Sequence, residues 1–301
     1  MNLKSSSLLT RFAVLASVLA LSACGGAEKE SSETSATLYF TAIPDHDSTE
    51  LEAKFQPVAA YLSEQLGVPV EYVPTADYSA SVEMFRNGDV QLAWFGGLSG
   101  VQARSTVDGS RAVAQGKSDP EFVSYFVVNG ETSVQKSDSF PMGLEGMSFT
   151  YGSPKSTSGR LMPEHFIVEN TGRSPKDFFG SEAAFSGSHD KTAKLVEAGT
   201  FQAGAMNYKT YDRMVAEGTL DAEKCRIAWV TPTYPDYNWT AHPALDEIHG
   251  EGFVDKVQSA LLNMTDTNLL KAIDREEGLI PASNKDFEPV AELASKLGFL
   301  N

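Results

Sequence analysis

Between residues 37 and 100, apolar runs alternate with amphipathic stretches that each end at glycine. Thr37-Leu-Tyr-Phe-Thr-Ala-Ile43 reads as a buried strand. After the loop Pro44-Asp45-His46-Asp47, Ser48 or Thr49 can cap a helix, with Glu52 three residues beyond Thr49 as in a capping box. Leu51, Phe55, Val58, Leu62 and Leu66 form its apolar stripe, Pro57 marks a bend or a late true start, and Gly67 stops it. Val68 to Val73 is a second strand, Asp77 to Asn87 a second helix closed by Gly88, and Asp89 to Phe95 a third strand. That strand runs into the glycine-rich turn Gly96-Gly97-Leu98-Ser99-Gly100. Strand, helix, strand, helix, strand in this order folds as right-handed parallel βαβ units, so the class is α/β. Ligands in such folds bind off the carboxyl ends of strands, where loops meet helix N-termini.

The rest of the chain repeats that theme. Arg111–Gln115 and Glu121–Val128 are strands, the second crossing to a new lobe. There, Gly146–Tyr151 feeds a turn at Gly152-Ser153-Pro154 and three consecutive hydroxyls, Ser156, Thr157 and Ser158, at the start of a helix reaching about Glu169. Such oxygens satisfy orphan amides, and the same amides with the helix dipole make an anion seat. One hydroxyl is an ordinary cap; three, bracketed by Gly152 and Gly159, leave cap and anion seat equally open. Ala183–Phe185 is a short strand, Ser188 caps a helix beginning at His189, and Phe201–Asn207 is a strand ending at Tyr208 and Tyr211. Ile227–Val230 leads into an aromatic loop over 231–239, and helices follow from Ala244, packing back on the first lobe. The strand ends collect Asp45, His46, Phe95, Gly96, Ser156, Thr157, Ser158, Ser188, His189, Asn207, Tyr208, Tyr211, Tyr234, Asp236 and Tyr237. Three of these ends are helix starts with hydroxyls or glycine, which points to a small anionic ligand.

Charge then poses a problem. The formal net charge is −16, and setting aside Lys4 and Arg11 of the first 23 residues leaves 22 basic against 40 acidic residues. Nucleic acid and anionic lipid surfaces, which need clustered cations, are excluded as partners. An anion site in so acidic a body requires local, preorganised donors and few nearby carboxylates. Catalytic patterns are absent: there is no Gly-x-Ser-x-Gly elbow, no complete phosphate loop, and no pair of histidines at helical spacing for a metal. No cofactor is called for.

Five motifs stand in order: Pro44, Leu66-Gly67, Gln91-Leu-Ala-Trp-Phe-Gly96, Ser156-Thr-Ser-Gly159 and Ser186-Gly-Ser-His189. Through them residues 37–301 resemble the solute-binding proteins of ATP-driven uptake systems for phosphonate, phosphite and phosphate. Thr41-Ala-Ile-Pro44, Trp94 to Ala103 and Pro235-Asp-Tyr-Asn-Trp239 are most similar to members named as selenate binders. The resemblance implies a two-lobed, type II-like periplasmic binding protein fold, each lobe a mixed, mostly parallel sheet flanked by helices, hinged near 124–128 and 230–236. Lobe 1 would be 37–124 and 237–301, and lobe 2 125–236. It further implies that Ser156, Thr157, Ser158 and His189 hold an oxyanion head against Phe95, Gly96 and the 44–47 loop. The partners implied are a permease and ATPase in the membrane. Two departures stand out by the same comparison: Gly100 where phosphonate binders carry a Tyr, and Tyr211 about where aminophosphonate binders place a Glu, with Asp236 as a second such carboxylate. A compact oxyanion therefore fits better than a bulky aminophosphonate. The competing readings are a periplasmic hydrolase of small phosphorylated compounds and a ligand-loaded partner of a membrane sensor.

Residues 1–23 read as a signal peptide ending at Leu21-Ser-Ala-Cys24, which looks like a lipoprotein cleavage box with Cys24 lipidated. Residues 24–36 form a polar tether, so the expectation is a monomeric lipoprotein of the cell envelope. With Cys24 acylated, Cys225 has no partner and is read as a core thiol.

Overall fold

The computed structural model describes residues 36–300 except 183. The signal segment, Cys24 and most of the tether lie outside those residues. No helix among the described residues is long and apolar enough to cross a membrane.

The alternation read from the sequence appears as β1 (Leu38–Ala42), α1 (Ser48–Leu66), β2 (Val70–Tyr72), α2 (Tyr78–Asn87), β3 (Leu92–Phe95), α3 (Gly97–Thr106) and β4 (Arg111–Gly116). The cap of α1 is Asp47, not Ser48 or Thr49, its carboxylate accepting the Thr49 N–H at 3.0 Å. A carboxylate there also meets the positive end of the helix dipole, which a hydroxyl does less strongly. Asp77 caps α2 in the same way, accepting from the Ala80 N–H at 2.8 Å. That cap sets Tyr78 at the first helical position, where it is buried.

The chain then crosses to a second sheet through β5 (Ser124–Asn129), β6 (Phe149–Tyr151), α4 (Met162–Thr171), α5 (Pro175–Phe179), β7 (Ala184–Phe185), α6 (His189–Glu197), β8 (Ala203–Asn207), α7 (Tyr208–Ala216) and β9 (Cys225–Val230). It returns as β10 (Asn238–Ala241), α8 (Ala244–His249), α9 (Phe253–Leu262), α10 (Thr267–Ala272), β11 (Leu279–Pro281) and α11 (Glu288–Lys296). The first sheet has the order β11-β4-β10-β3-β1-β2, and the second β7-β6-β8-β5-β9. Both are mixed: β1 is parallel to β2 and β3, and β6 to β7 and β8, whereas β10, β11 and β5 run antiparallel to their neighbours.

Strand β10 corrects the reading of 231–239 as loop throughout. Asn238, Trp239, Thr240 and Ala241 are all buried, because β10 lies between β3 and β4 in the middle of the sheet. A strand covered on both faces shows no polar alternation, and Pro232 and Pro235 just before it mimic loop composition.

Trp239 packs on Phe40, Phe55 and Trp94 at ring separations of 5.8, 6.4 and 5.3 Å. The second lobe gathers Phe126, Phe140, Phe149 and Trp229. Each such side chain contributes about 1.5–3 kcal/mol by burial. Cys225 is buried and free, its thiol pushed up to about 12 by burial, as a core residue should be. The two connecting segments pair where Phe122 and Tyr234 exchange backbone hydrogen bonds of 2.9 and 3.0 Å. Residues 124–128, read from the sequence as part of the hinge, lie inside β5.

Candidate functional site

Helix starts from both lobes meet at one place. From the first lobe comes the turn into α3, where Gly97 N–H donates to Asp236 Oδ1 at 2.8 Å and Leu98 N–H donates to Thr157 Oγ1 at 2.9 Å. The second bond crosses between the lobes. From the second lobe comes the hydroxyl turn, in which Ser156 Oγ accepts the Gly159 N–H at 2.9 Å. Residues Thr157–Leu161 form one widened turn before α4, with Leu161 N–H reaching back to Ser156 O at 3.0 Å. Widened turns of this kind recur at functional sites because they re-aim side chains without ending the helix. The α6 start crosses too, with His189 N–H donating to Asp45 O at 3.1 Å.

Two glycines permit this approach. A Cβ on Gly96 would stand 3.1 Å from Asp236 Oδ1 and 3.2 Å from Thr157 Oγ1. One on Gly159 would stand 3.0 Å from both His189 Cε1 and Ser156 Oγ. Asp236 and Thr157 thus close on Gly96, and His189 and Ser156 on Gly159.

Three buried polar atoms in this cluster have no hydrogen-bond partner in the protein: His189 Nε2, Asp236 Oδ2 and the Tyr78 hydroxyl, which lies beside Ser156. An unpaired buried polar group costs about 1–3 kcal/mol, so three together mark a place built to meet a ligand. His189 has a defined tautomer. Its Nδ1 accepts the Asn207 N–H at 3.2 Å, leaving the ring proton on Nε2. Burial, opposed by Asp45, holds its pKa down to about 4, so the imidazole is a neutral donor near neutral pH.

The remaining expected residues divide. Asn207 Nδ2 donates to the Tyr237 hydroxyl at 3.1 Å, which donates to Asp45 Oδ2 at 2.7 Å, a chain that orients Asp45. His46 is buried beside it, with Nε2 3.8 Å from Asp45 Oδ1 and 3.6 Å from Asp274 Oδ2. Burial lowers the His46 pKa, but Asp45 and Asp274 outweigh burial and raise it. Ser158 holds the turn to the connecting segment: its carbonyl accepts from Ser124 Oγ at 2.7 Å, and Ser124 Oγ lies 2.5 Å from the Tyr234 hydroxyl. Tyr234 therefore acts behind the cluster. Phe95 packs edge-on against Phe85 at 5.6 Å and backs the turn at Gly96.

Three expectations do not hold. Tyr211 is outside the cluster: its hydroxyl donates to Cys225 O at 2.6 Å within a separate apolar core. Tyr208 lies at the rim, its ring on Phe122 at 4.8 Å. Both follow from α7 starting at Tyr208, which turns these rings toward β5 and β9 instead of the strand end. Ser188 occupies the cap position of α6 but bonds the Asp190 carboxylate, not a helix amide. Asp45 and Asp236, the two carboxylates expected among the strand ends, both reach the cluster.

Tyr78 was not anticipated. The signal lies in its position, since it opens a helix capped at Asp77 that follows the second strand, but its burial there depends on tertiary packing.

Around the cluster, α7 is pinned to the first lobe. Arg213 Nη1 reaches Glu50 at 2.9 Å, Arg213 Nε lies 3.6 Å from Asp274, and Lys209 Nζ lies 3.2 Å from Glu277. Such partly exposed pairs contribute about 0–1 kcal/mol each.

Two buried groups set opposite pH responses. His189 titrates near 4 in the folded chain against 6.5 unfolded, so its stabilisation is present above pH 6.5 and lost as pH falls toward 4. Asp236, pushed up to about 7 from 3.8 by burial against the Gly97 N–H and Thr157, behaves inversely. Its stabilisation is present below about pH 3.8 and lost as pH rises toward 7. Between pH 4 and 6.5 the slopes, about 1.4 kcal/mol per pH unit each, cancel. Urea unfolding at pH 4.5 to 6.5 should therefore show stability falling with pH in His189→Gln and rising with pH in Asp236→Asn, each relative to the unaltered chain. Slopes of the same sign would contradict the assignment.

Two hinged lobes with donors converging from facing helix starts define the solute-binding proteins of the periplasmic class. A sequence profile described as "ABC transporter, phosphonate, periplasmic substrate-binding protein" matches residues 40–287. The chain belongs to that family and is the solute-binding protein of an ABC transporter. It is 38% identical over 263 residues, 85% of this chain and 88% of the relative, to the probable ABC transporter phosphite-binding protein PhnD1 of Prochlorococcus marinus (strain MIT 9301). It is 25% identical, over 96% of both chains, to the phosphate-import protein PhnD of Mycolicibacterium smegmatis. The solved structure of P. marinus PhnD1 with methylphosphonate superposes with a TM-score of 0.82, covering 87% of this chain and 98% of that one.

Proposed function

We propose that this protein captures a compact tetrahedral phosphorus oxyanion, phosphite or a short alkylphosphonate such as methylphosphonate, and delivers it to a permease and ATPase in the membrane. The observation that carries this is the convergence of uncharged donors from both lobes: the Ser156 and Thr157 hydroxyls with the unpartnered Nε2–H of His189 and hydroxyl of Tyr78. A phosphite-binding relative at 38% identity and its methylphosphonate complex support the same ligand class. Asp45, His46, Asn207 and Tyr237 orient the donors, and Phe95 and Gly96 form the opposing wall.

His189 serves the site as a donor and not as a general base. Its only lone-pair nitrogen already accepts from Asn207, so it has no free base to activate water. We read Cys24 as the lipidated residue, making the protein a monomeric lipoprotein held at the membrane face of the periplasm.

A thermal-shift screen of the mature protein against phosphite, methylphosphonate, phosphate, 2-aminoethylphosphonate, sulfate and selenate tests the assignment. A ligand at a hundred times its Kd adds about 2.7 kcal/mol of stability. Phosphite or methylphosphonate should raise Tm most. No shift with any anion would overturn the proposal.

A further inference from the structure

We propose that Arg213 and Lys209, on one face of α7, are positioning residues that latch the second lobe onto an acidic cluster of the first, so that a salt-sensitive contact outside the anion site sets how long the ligand stays. This rests on the oxyanion reading above and adds what keeps the two lobes shut.

The two cations stand four residues apart on α7 and so share a helix face. Arg213 Nη1 lies 2.9 Å from Glu50 of α1 and Arg213 Nε 3.6 Å from Asp274 after α10. Arg213 Nη2 lies 3.1 Å from His46 Nδ1, a bond that the neutral ring accepts. Lys209 Nζ lies 3.2 Å from Glu277. All four partners belong to the first lobe, whereas the contact of Arg213 within its own helix, to Glu217, is longer at 3.3 Å. With the lobes apart, Asp45, Glu50 and Asp274 keep Lys54 as their cation, 2.9 Å from Glu50 and 4.0 Å from Asp274. Burial raises the Asp274 carboxyl, but His46, Lys54 and Arg213 outweigh it and hold it down to about 2, so it is ionised. Three carboxylates facing one lysine repel one another, and α7 brings further positive charge when the lobes meet.

The cluster starts at the site itself. His46 follows Asp45, whose carbonyl accepts the His189 N–H at 3.1 Å, and Asp47 caps the helix that carries Glu50. Between the latch and the donors lies a void of about 10 Å³, with Asp45, His46, Asn207, Tyr237 and Asp274 in its walls, room for about one water. A shift of α7 is therefore transmitted by packing to the 44–47 loop. Open grooves of about 530 and 280 Å³, each walled in part by Arg213 and Asp274, reach the latch from solvent, so dissolved ions can screen it.

Salt then acts differently on capture and on release. The ligand approaches a body of formal net charge −16, so screening should speed capture. Once bound, it is held by uncharged donors away from solvent, and the salt dependence of its release comes from the latch.

Chase of radiolabelled methylphosphonate or phosphite by excess unlabelled ligand, followed by rapid filtration at pH 8, measures release. Calorimetry measures affinity, and the two together give the capture rate. Raising sodium chloride from about 20 to about 500 mM should speed release from the unaltered protein about fivefold or more, with capture no slower. Arg213→Met should speed release about tenfold at low salt, the combined loss of its three cross-lobe contacts. Adding Lys209→Met should bring the effect of salt on release below about twofold. Arg213→Lys keeps the charge and should stay within about threefold of the unaltered rate. Release from the unaltered protein that ignores salt overturns the latch and leaves the oxyanion reading standing. So does an unchanged release rate in a folded Arg213→Met, or Arg213→Lys releasing as fast as Arg213→Met. Binding of neither anion by the unaltered protein overturns the oxyanion reading itself, and the latch with it. The salt series on the unaltered protein stands as a test even if a variant does not fold.

Discussion

Replacing Ser156 by Ala together with Thr157 by Val is expected to weaken binding of phosphite or methylphosphonate at least tenfold, read by calorimetry. Each hydroxyl oxygen already accepts a backbone N–H, from Gly159 and from Leu98 respectively, so each hydroxyl still has its own proton to donate, with Ser156 facing Tyr78 and Thr157 facing Asp236. A hydrogen bond to a charged group contributes about 1.5–3 kcal/mol. Losing two exceeds the 1.4 kcal/mol that equals a tenfold change, even after allowance for partial replacement by water. The Val substitution also strands the Leu98 amide at the contact between lobes, so closure weakens together with the direct contact. Lys176 is the control. It is exposed and pairs with exposed Glu182, so Lys176→Ala should leave affinity unchanged. Unchanged affinity in the double variant would remove Ser156 and Thr157 from the site.

A larger effect on stability is expected from Asp119→Ala. Asp119 is fully buried between β4 and the first connecting segment, and accepts from Arg275 Nη2 at 2.6 Å, Arg275 Nε at 2.8 Å and Gly116 N–H at 2.6 Å. Burial raises the Asp119 carboxyl, and Arg275 and the Gly116 amide oppose it; the bidentate geometry identifies an ionised pair. Removing the carboxylate strands a guanidinium that is itself 2% exposed and lies over the rings of Trp94 and Tyr237 at 5.2 and 4.8 Å. Breaking a buried pair on one side costs about 3–5 kcal/mol. That corresponds to a fall in Tm on the order of 10 °C for a protein of this size. Because the cost is that of an orphaned charge, adding Arg275→Met to Asp119→Ala should recover most of the loss. Calorimetric Tm values for both variants decide it: a double variant no more stable than the single would mean the pair itself, not the stranded cation, carries the stability.

Much of the architecture was legible because its causes are local. Gly67 and Gly88 end α1 and α2 where the apolar spacing ends, and Asp77 opens α2, since capping and periodicity act within a few residues. The Ser156–Ser158 turn was legible for the same reason: three hydroxyls between glycines have few conformations that satisfy their neighbours' amides. Where packing decides, local reasoning failed. Strand β10 hid because a strand inserted between two others is buried on both faces and loses its alternation. Tyr211 looked like a strand-end residue until α7 began at Tyr208 and turned it toward Cys225.

From the sequence alone come the α/β class, the order of its elements and the helix starts able to hold an anion, since each depends on chemistry within a turn or two of chain. Tertiary structure alone decided which of those starts face each other, that Tyr78 joins them, and that Asp236 stands among them with one oxygen unpartnered. Those outcomes depend on contacts between residues as far apart as Leu98 and Thr157, and on the loss of water around them, which no local pattern encodes.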